Sequence, residues 1–284
     1  MNLSHRHHFL PEFYLKGFTN SHGVFAVYSV PKNRINRNLQ PPSSHFFVKD
    51  RNSMRLNGAM TDIPEQAYSL VDNRMAVIFQ KLQGYQGVPK LSVHEMTGLY
   101  YFLSNLFWRN PAADAQFEKT VDVSNVRNLL RQTFRQASTG LPEPVLDDKD
   151  LISLMRSLAG TISVEKSIGQ NFQDWGILYN PKGVFICSDR PFIARDTSNI
   201  FGSDFIVPLT KHHLLIKSAQ PIPSVPPIIA YFIQLALVQQ AKDYCASPDR
   251  ELLQAMLDDP SYYSMELLRD AIFGFITSAA TCTP

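Results

Sequence analysis

Residues 175–188, WGILYNPKGVFICS, decide the fold class, because the period of the sequence changes there. Trp175-Gly176-Ile177-Leu178-Tyr179 and Val184-Phe185-Ile186-Cys187-Ser188 are short runs rich in branched and aromatic residues, joined by the turn signal Asn180-Pro181-Lys182-Gly183. The stretch predicts a β-hairpin. Strand character continues downstream in Phe205–Leu209 and His213–Lys217. A proline-rich loop, 221–227, then leads to an apolar helix through Asp243, and one or two helices finish the chain.

Upstream the period is helical. Thr61-Asp62 ahead of Pro64 and Glu65 is a capped start, and Ala67, Leu70, Val71, Met75, Ile78, Phe79 and Leu82 carry that helix to about Leu82. Ser92-Val-His-Glu95 is a capping box, opening a helix to about Arg109. That helix ends there because the residue before Pro111 disfavours continuation. A third helix is expected over Ala112–Gln136 and a fourth over Asp150–Ile168. Before them, Gly23–Val30 reads as a strand closed by Pro31-Lys32-Asn33, with His45–Val48 as its partner. The expectation is an α+β fold in a single domain, 1–284. Its regions are a basic β-containing arm (1–60), a helical part (61–170), hairpins (171–220) and terminal helices (221–284).

A chain of 284 residues with 44% hydrophobic and 18% charged residues is a packed protein, not a disordered one. Three widely spaced cysteines, Cys187, Cys245 and Cys282, form neither a disulfide framework nor a metal clip and suit reduced thiols in the cytoplasm. MNLSHRHHFL has no apolar segment of signal-peptide type, and the longest apolar run, Val225–Val238, is broken by Gln234 and is too short for a bilayer. A cytoplasmic location with no membrane partner is expected. The absence of a P-loop, GxGxxG, GxSxG or HExxH motif argues against an NTPase, a dinucleotide enzyme, an α/β-hydrolase and a zincin.

The net charge of +2 hides an asymmetry: residues 1–60 hold eight basic side chains against two acids, and five of the eight histidines. A local cationic field attracts anions, so a nucleic acid or nucleotide is the partner this segment suggests. Its densest part is His5-Arg6-His7-His8. Imidazoles there can ligate a divalent metal, exchange protons or meet a phosphate, or they can form a solvated terminus. On a strand His7 and His8 point apart. Asp189 follows a strand, either as a presented carboxylate or as a turn residue ahead of Pro191. Arg109 either clamps an anion or simply suits a helix C-terminus. Arg127, Arg131 and Arg135 recur every four residues as one basic stripe, able to track phosphates or to face solvent. Glu65 and Asp72 lie two turns apart on one helix face, and His212-His213 read as structural.

The run His8-Phe9-Leu10-Pro11-Glu12-Phe13-Tyr14-Leu15-Lys16-Gly17-Phe18 resembles the H-[YF]-[VI]-P-x-[FY]-Y-L-[RK]-x-F opening of a large, mainly bacterial family of domains of unknown function. Other blocks resemble that family in the same order. Gly23–Tyr28 is similar to its first strand and Glu65 with Asp72 to its acidic helix. Arg109-Asn110-Pro111 is similar to its R-[ST]-P helix end. Phe185–Pro191 is similar to F-[IL]-T-S-D-x-P, and Pro208-Leu209-Thr210 to P-L-[TS]. The resemblance implies a shared fold and one polar cleft in which His8, Glu65, Asp72, Arg109 and Asp189 converge.

Three functions suit these residues. In a nuclease-like hydrolase, His8, Glu65 and Asp189 hold a divalent metal that activates water against a phosphodiester, Arg109 stabilises developing charge, and His8, Asp189 and Arg109 are the catalytic set. His7, Tyr14, Ser188, Arg127 and Arg131 then bind the ligand. In a non-catalytic binding or effector module, the polar residues hold a small anionic ligand such as a nucleotide, or a partner protein docks. In the third reading the cluster is a buried hydrogen-bonded network with a structural role.

Overall fold

The computed structural model describes residues 5–136, 145–165, 172–181, 183–219, 222, 224–259 and 263–281. In chain order the elements are β1 (Arg6–His8), α1 (Glu12–Lys16), β2 (Ala26–Ser29), β3 (Arg34–Ile35), β4 (Phe47–Lys49), β5 (Met54–Leu56) and β6 (Ala59–Thr61). Then come α2 (Ile63–Gly84), α3 (Val93–Arg109), α4 (Asp114–Thr120), α5 (Val123–Gln136) and α6 (Asp148–Glu165). The rest is β7 (Trp175–Tyr179), β8 (Cys187–Ser188), β9 (Ile193–Ala194), β10 (Phe205–Pro208), β11 (His213–Lys217), α7 (Pro227–Gln239), β12 (Tyr244–Ser247), α8 (Arg250–Leu257) and α9 (Met265–Thr281). The fold class is α+β, with antiparallel sheets throughout the described residues.

The chain divides into two compact units. The first comprises Met1–Phe9, Phe47–Met75 and Thr97–Ile168. There β1 pairs antiparallel with β4, setting His7 opposite Val48 and His8 opposite Phe47. β5 and β6 form a hairpin whose two-residue loop is Asn57-Gly58, both at positive φ (51° and 82°). An Asn-Gly pair adopts this primed turn cheaply, and its twist matches that of the strands it joins. Below the hairpin Met54, Leu146 and Leu151 are buried, with Val123, Val126, Leu130, Leu154 and Met155 packed around them. The first part of α2 and most of α3 complete this unit.

The second unit comprises Leu10–Phe46, Ala76–Met96 and Gly169–Pro284. It holds two four-stranded sheets, ordered β3-β2-β12-β8 and β7-β11-β10-β9. Its core runs from Ala26 through Phe185, Ile206 and Leu214 to Ile233, Leu237 and Ile272. Helix α7 contributes many of those residues. A helix this apolar belongs inside a core and not on a surface.

Several sequence expectations change. Residues 175–188 are not a hairpin: β7 pairs with β11, and β8 pairs with β12. Strand β2 does not take His45–Val48 as its partner but lies between β3 and β12. The helix expected over 112–136 is broken at Val121-Asp122. Val121 is extended, and the Asp122 carboxylate accepts the N–H of Asn125 at 3.0 Å, which restarts the chain as α5. The capping box is present: Glu95 Oε2 accepts from Ser92 N at 2.7 Å and Ser92 Oγ from Glu95 N at 3.2 Å. No helix among the described residues is long and apolar enough to cross a membrane. Cys187 and Cys245 are buried free thiols, while Cys282 and most of the stretch 138–147, which the sequence reads as a loop, lie outside the described residues.

Candidate functional site: a polar network and a basic cleft

In the first unit, alternation along β1 buries His7 completely and turns His8 the other way, edge-on to the Phe47 ring at 5.5 Å. His7 is therefore the histidine that faces inward, and Asn52 links it to the acidic helix. His7 Nδ1 accepts the backbone N–H of Asn52 at 2.8 Å. An acceptor nitrogen carries no proton, so the neutral ring holds its hydrogen on Nε2. Asn52 continues the chain of contacts by donating its amide to Glu65 Oε2 at 2.7 Å.

Glu65, Tyr68 and Asp72 share one face of α2, at i, i+3 and i+7. Arg109, the last residue of α3 and 4% exposed, lies against that face. Its Nη1 donates to Asp72 Oδ2 at 2.8 Å, its Nη2 is 3.9 Å from Glu65 Oε1, and its guanidinium carbon sits 4.7 Å from the Tyr68 ring centroid. Burial pushes the Asp72 carboxyl above its ordinary value, with Arg109 opposing the shift. Arg51 donates to the Arg109 carbonyl at 3.3 Å and grips Asp114 with both terminal nitrogens, at 2.8 and 2.6 Å. Arg156 meets the same Asp114 at 2.7 Å. Three guanidiniums thus face three carboxylates, and the network is charge-balanced from within. His7 Nε2, the Tyr68 hydroxyl and Arg109 Nε are buried without a hydrogen-bond partner among the described residues.

The structure therefore brings Glu65, Asp72 and Arg109 together, with His7 joined to them through Asn52. Arg127 is spent elsewhere: it donates to the Leu146 carbonyl at 2.6 Å and pairs with Asp148. Arg131 is exposed on α5. Among the described residues no three His, Cys, Asp or Glu side chains are arranged to hold a metal ion, so the expected His8–Glu65–Asp189 metal set is not found.

Asp189 belongs to the second unit, at the end of β8. Its carboxylate accepts the backbone N–H groups of Lys242, Asp243 and Tyr244, the link between α7 and β12. Burial raises its carboxyl, against the downward pull of those three donors. A carboxylate so occupied organises the backbone of residues 242–244. Ser188 is fully buried, its hydroxyl accepting Arg190 N–H at 3.2 Å. Tyr14 is fully buried too, donating to the Pro208 carbonyl at 2.7 Å. Both hydroxyls are thus buried and engaged with the chain's own backbone.

That Tyr14 bond joins two signature blocks, and beside it the second unit opens into a polar cleft of about 360 Å³. Its walls include Lys16 and Gly17 after α1, the turn Thr210–His213 before β11, Tyr85 and Gln86 after α2, and Tyr179. The backbone draws the walls together: Lys211 N–H donates to the Gly17 carbonyl at 2.9 Å. Gly17 is needed for that approach, since a Cβ there would lie 3.1 Å from the Tyr14 carbonyl and 3.2 Å from Thr210 Cγ2. Lys211 Nζ spends one hydrogen on the Thr19 carbonyl at 2.9 Å and keeps two. His212 Nδ1 faces the carbonyls of Asn180 and Gly183 at 3.2 and 3.0 Å and so is its protonated nitrogen; Nε2 is left to meet a ligand. His213 is neutral and structural. Its Nε2–H donates to the Gly87 carbonyl at 3.0 Å, its Nδ1 faces Thr210 Oγ1 at 2.9 Å, and burial lowers its pKa. Among the described residues no Asp or Glu lines the cleft.

The sequence profile of the family described as "Protein of unknown function (DUF4238)" matches residues 6–227. The chain belongs to the DUF4238 family. The matched span contains the β1 histidines, the acidic helix, Arg109, Asp189 and both signature blocks that wall the cleft. No curated protein and no solved structure matches the chain. Lys16, from the run His8–Phe18, and Thr210, from Pro208-Leu209-Thr210, both line the cleft, so two stretches of the matched span meet there.

Proposed function

We propose that this protein binds a small anionic ligand in the cleft of the second unit, and that the polar network of the first unit is structural. One observation carries the reading: Lys16, Lys211 and His212 line one concavity that has no carboxylate in its wall. Two ammonium groups without a competing acid favour an anion, and a concave wall shields the charges less than open solvent does. Lys16 is one of the eight bases of residues 1–60, so the basic N-terminal segment contributes to ligand binding at this point. The network in the first unit supports its structural assignment by its own balance of three arginines and three acids. A phosphodiester hydrolase has less support, because no described group of residues is arranged to hold its metal and His7 Nδ1 is closed by the Asn52 N–H.

Thermal unfolding in inorganic phosphate tests the reading. A ligand at 100 times its Kd stabilises the folded state by about 2.7 kcal/mol. Phosphate is expected to raise Tm for the wild type and for Arg131→Ala, and to lose that effect in Lys16→Met with Lys211→Met. A shift that survives the double substitution, or no shift with phosphate or sulfate at any concentration tried, overturns the assignment. Release of product from a phosphodiester that depends on Lys16 and Lys211 would replace binding by catalysis at the same cleft.

A further inference from the structure

The cleft carries more than charge. Tyr85 and Tyr179 both line it, alongside the amides of Asn20 and Gln86. Tyr179 is held in place by ring contacts to His212 at 6.1 Å and His213 at 5.1 Å. Tyr85 is 51% exposed, so its ring is accessible from solvent. Gly87 fixes the backbone below it: at φ 148° it aims its carbonyl at His213, and a Cβ there would strike the Tyr85 ring at 3.1 Å. Two tyrosines and two lysines in one lining answer a ligand with two halves, one anionic and one flat. Tyrosine stacks on any nucleobase, because every base has a π face, while side-chain amides can read the base edge. A volume of about 360 Å³ is at the small end of ligand sites, enough for one nucleotide unit.

We propose that the ligand is a nucleoside monophosphate, its phosphate on Lys16 and Lys211, a sugar hydroxyl donating to His212 Nε2, and its base on Tyr179 or Tyr85; this rests on the anion-binding reading above. The monophosphate uses both halves of the cleft, whereas ribose 5-phosphate uses one and a nucleoside the other.

Calorimetric titration of the intact protein with inorganic phosphate, ribose 5-phosphate, purine and pyrimidine monophosphates, and the matching nucleosides tests the assignment. The expected result is a monophosphate at least tenfold tighter than ribose 5-phosphate. Tyr179→Ala with Tyr85→Ala should bring the two to equal affinity, while Tyr179→Phe with Tyr85→Phe keeps the preference. Ribose 5-phosphate as the tighter or equal ligand in the wild type overturns the nucleotide and leaves the anion site standing. A preference that survives the alanine pair also overturns it. Binding of none of the phosphates removes the anion site itself. Ribose 5-phosphate affinity in the alanine pair reports folding of the cleft: if it falls too, the Phe pair and single Ala substitutions decide.

Discussion

Arg109 donates to Asp72 at 2.8 Å across 37 residues of sequence, with the Tyr68 ring 4.7 Å beneath its guanidinium. Breaking a buried pair leaves one charge uncompensated. Arg109→Met is therefore expected to destabilise by about 3–5 kcal/mol. Asp72→Asn with Arg109→Gln should cost less than the two changes separately, by about 0.5–3 kcal/mol. Denaturant unfolding followed by Trp108 fluorescence in a Trp175→Phe background reads the first unit alone. Strict additivity would show that the pair is not coupled.

His7 and His8 are adjacent but not equivalent. His7→Ala leaves the Asn52 N–H without its acceptor and should cost about 1–3 kcal/mol. His8 is only half-buried and sits on Phe47, so His8→Ala should cost less. The reverse order in the same unfolding assay would place the histidine contacts on the wrong face of β1.

Asp189 gathers three backbone donors from residues 242–244. Asp189→Ala should raise amide hydrogen exchange at those three positions, by the equivalent of about 1–3 kcal/mol of local opening. Asp189→Asn, which keeps an acceptor oxygen, should fall between. Unchanged exchange in the alanine variant would mean the carboxylate does not hold that link.

Glu95 is pulled down from 4.5 to about 2, first by the Ser92 N–H and then by Lys81 and the Ser92 hydroxyl. Its folded value lies below its unfolded one. The stabilisation is therefore fully present above pH 4.5 and disappears as pH falls through about 2. The Tm difference between wild type and Glu95→Gln should shrink across that window and shrink again in high salt, because the carboxylate is near the surface. A difference that is flat with pH would sink the assignment.

How much could be read beforehand depended on whether a pattern was local. The acid pair Glu65 and Asp72 follows from helical period alone, and Arg109 follows from the proline two residues on. Local too is Asn57-Gly58, whose residue pair is itself a hairpin signal. Strand partners are not local. The run 175–188 has two segments with strand character and a turn between them, yet neither segment's hydrogen bonds go to the other. Which of His7 and His8 faces inward depends on the register with β4, and that register is a contact some forty residues away in the chain. Strand β12 escaped notice because Tyr-Cys-Ala-Ser is four residues long with no polar alternation, being covered on both sides. The cleft escaped for a related reason. Both of its signature blocks were visible, but nothing in either block states that they meet.

The bond from Tyr14 to Pro208 closes a loop of 194 residues. Contacts of such high order form late, since the chain between them must be ordered first. On a ribosome the opening motif emerges early and has to wait, its apolar residues uncovered, until the segment through His213 has been synthesised. A chain interrupted before that segment lacks Thr210–His213, one wall of the cleft, and with it the carbonyl that accepts the Tyr14 hydroxyl.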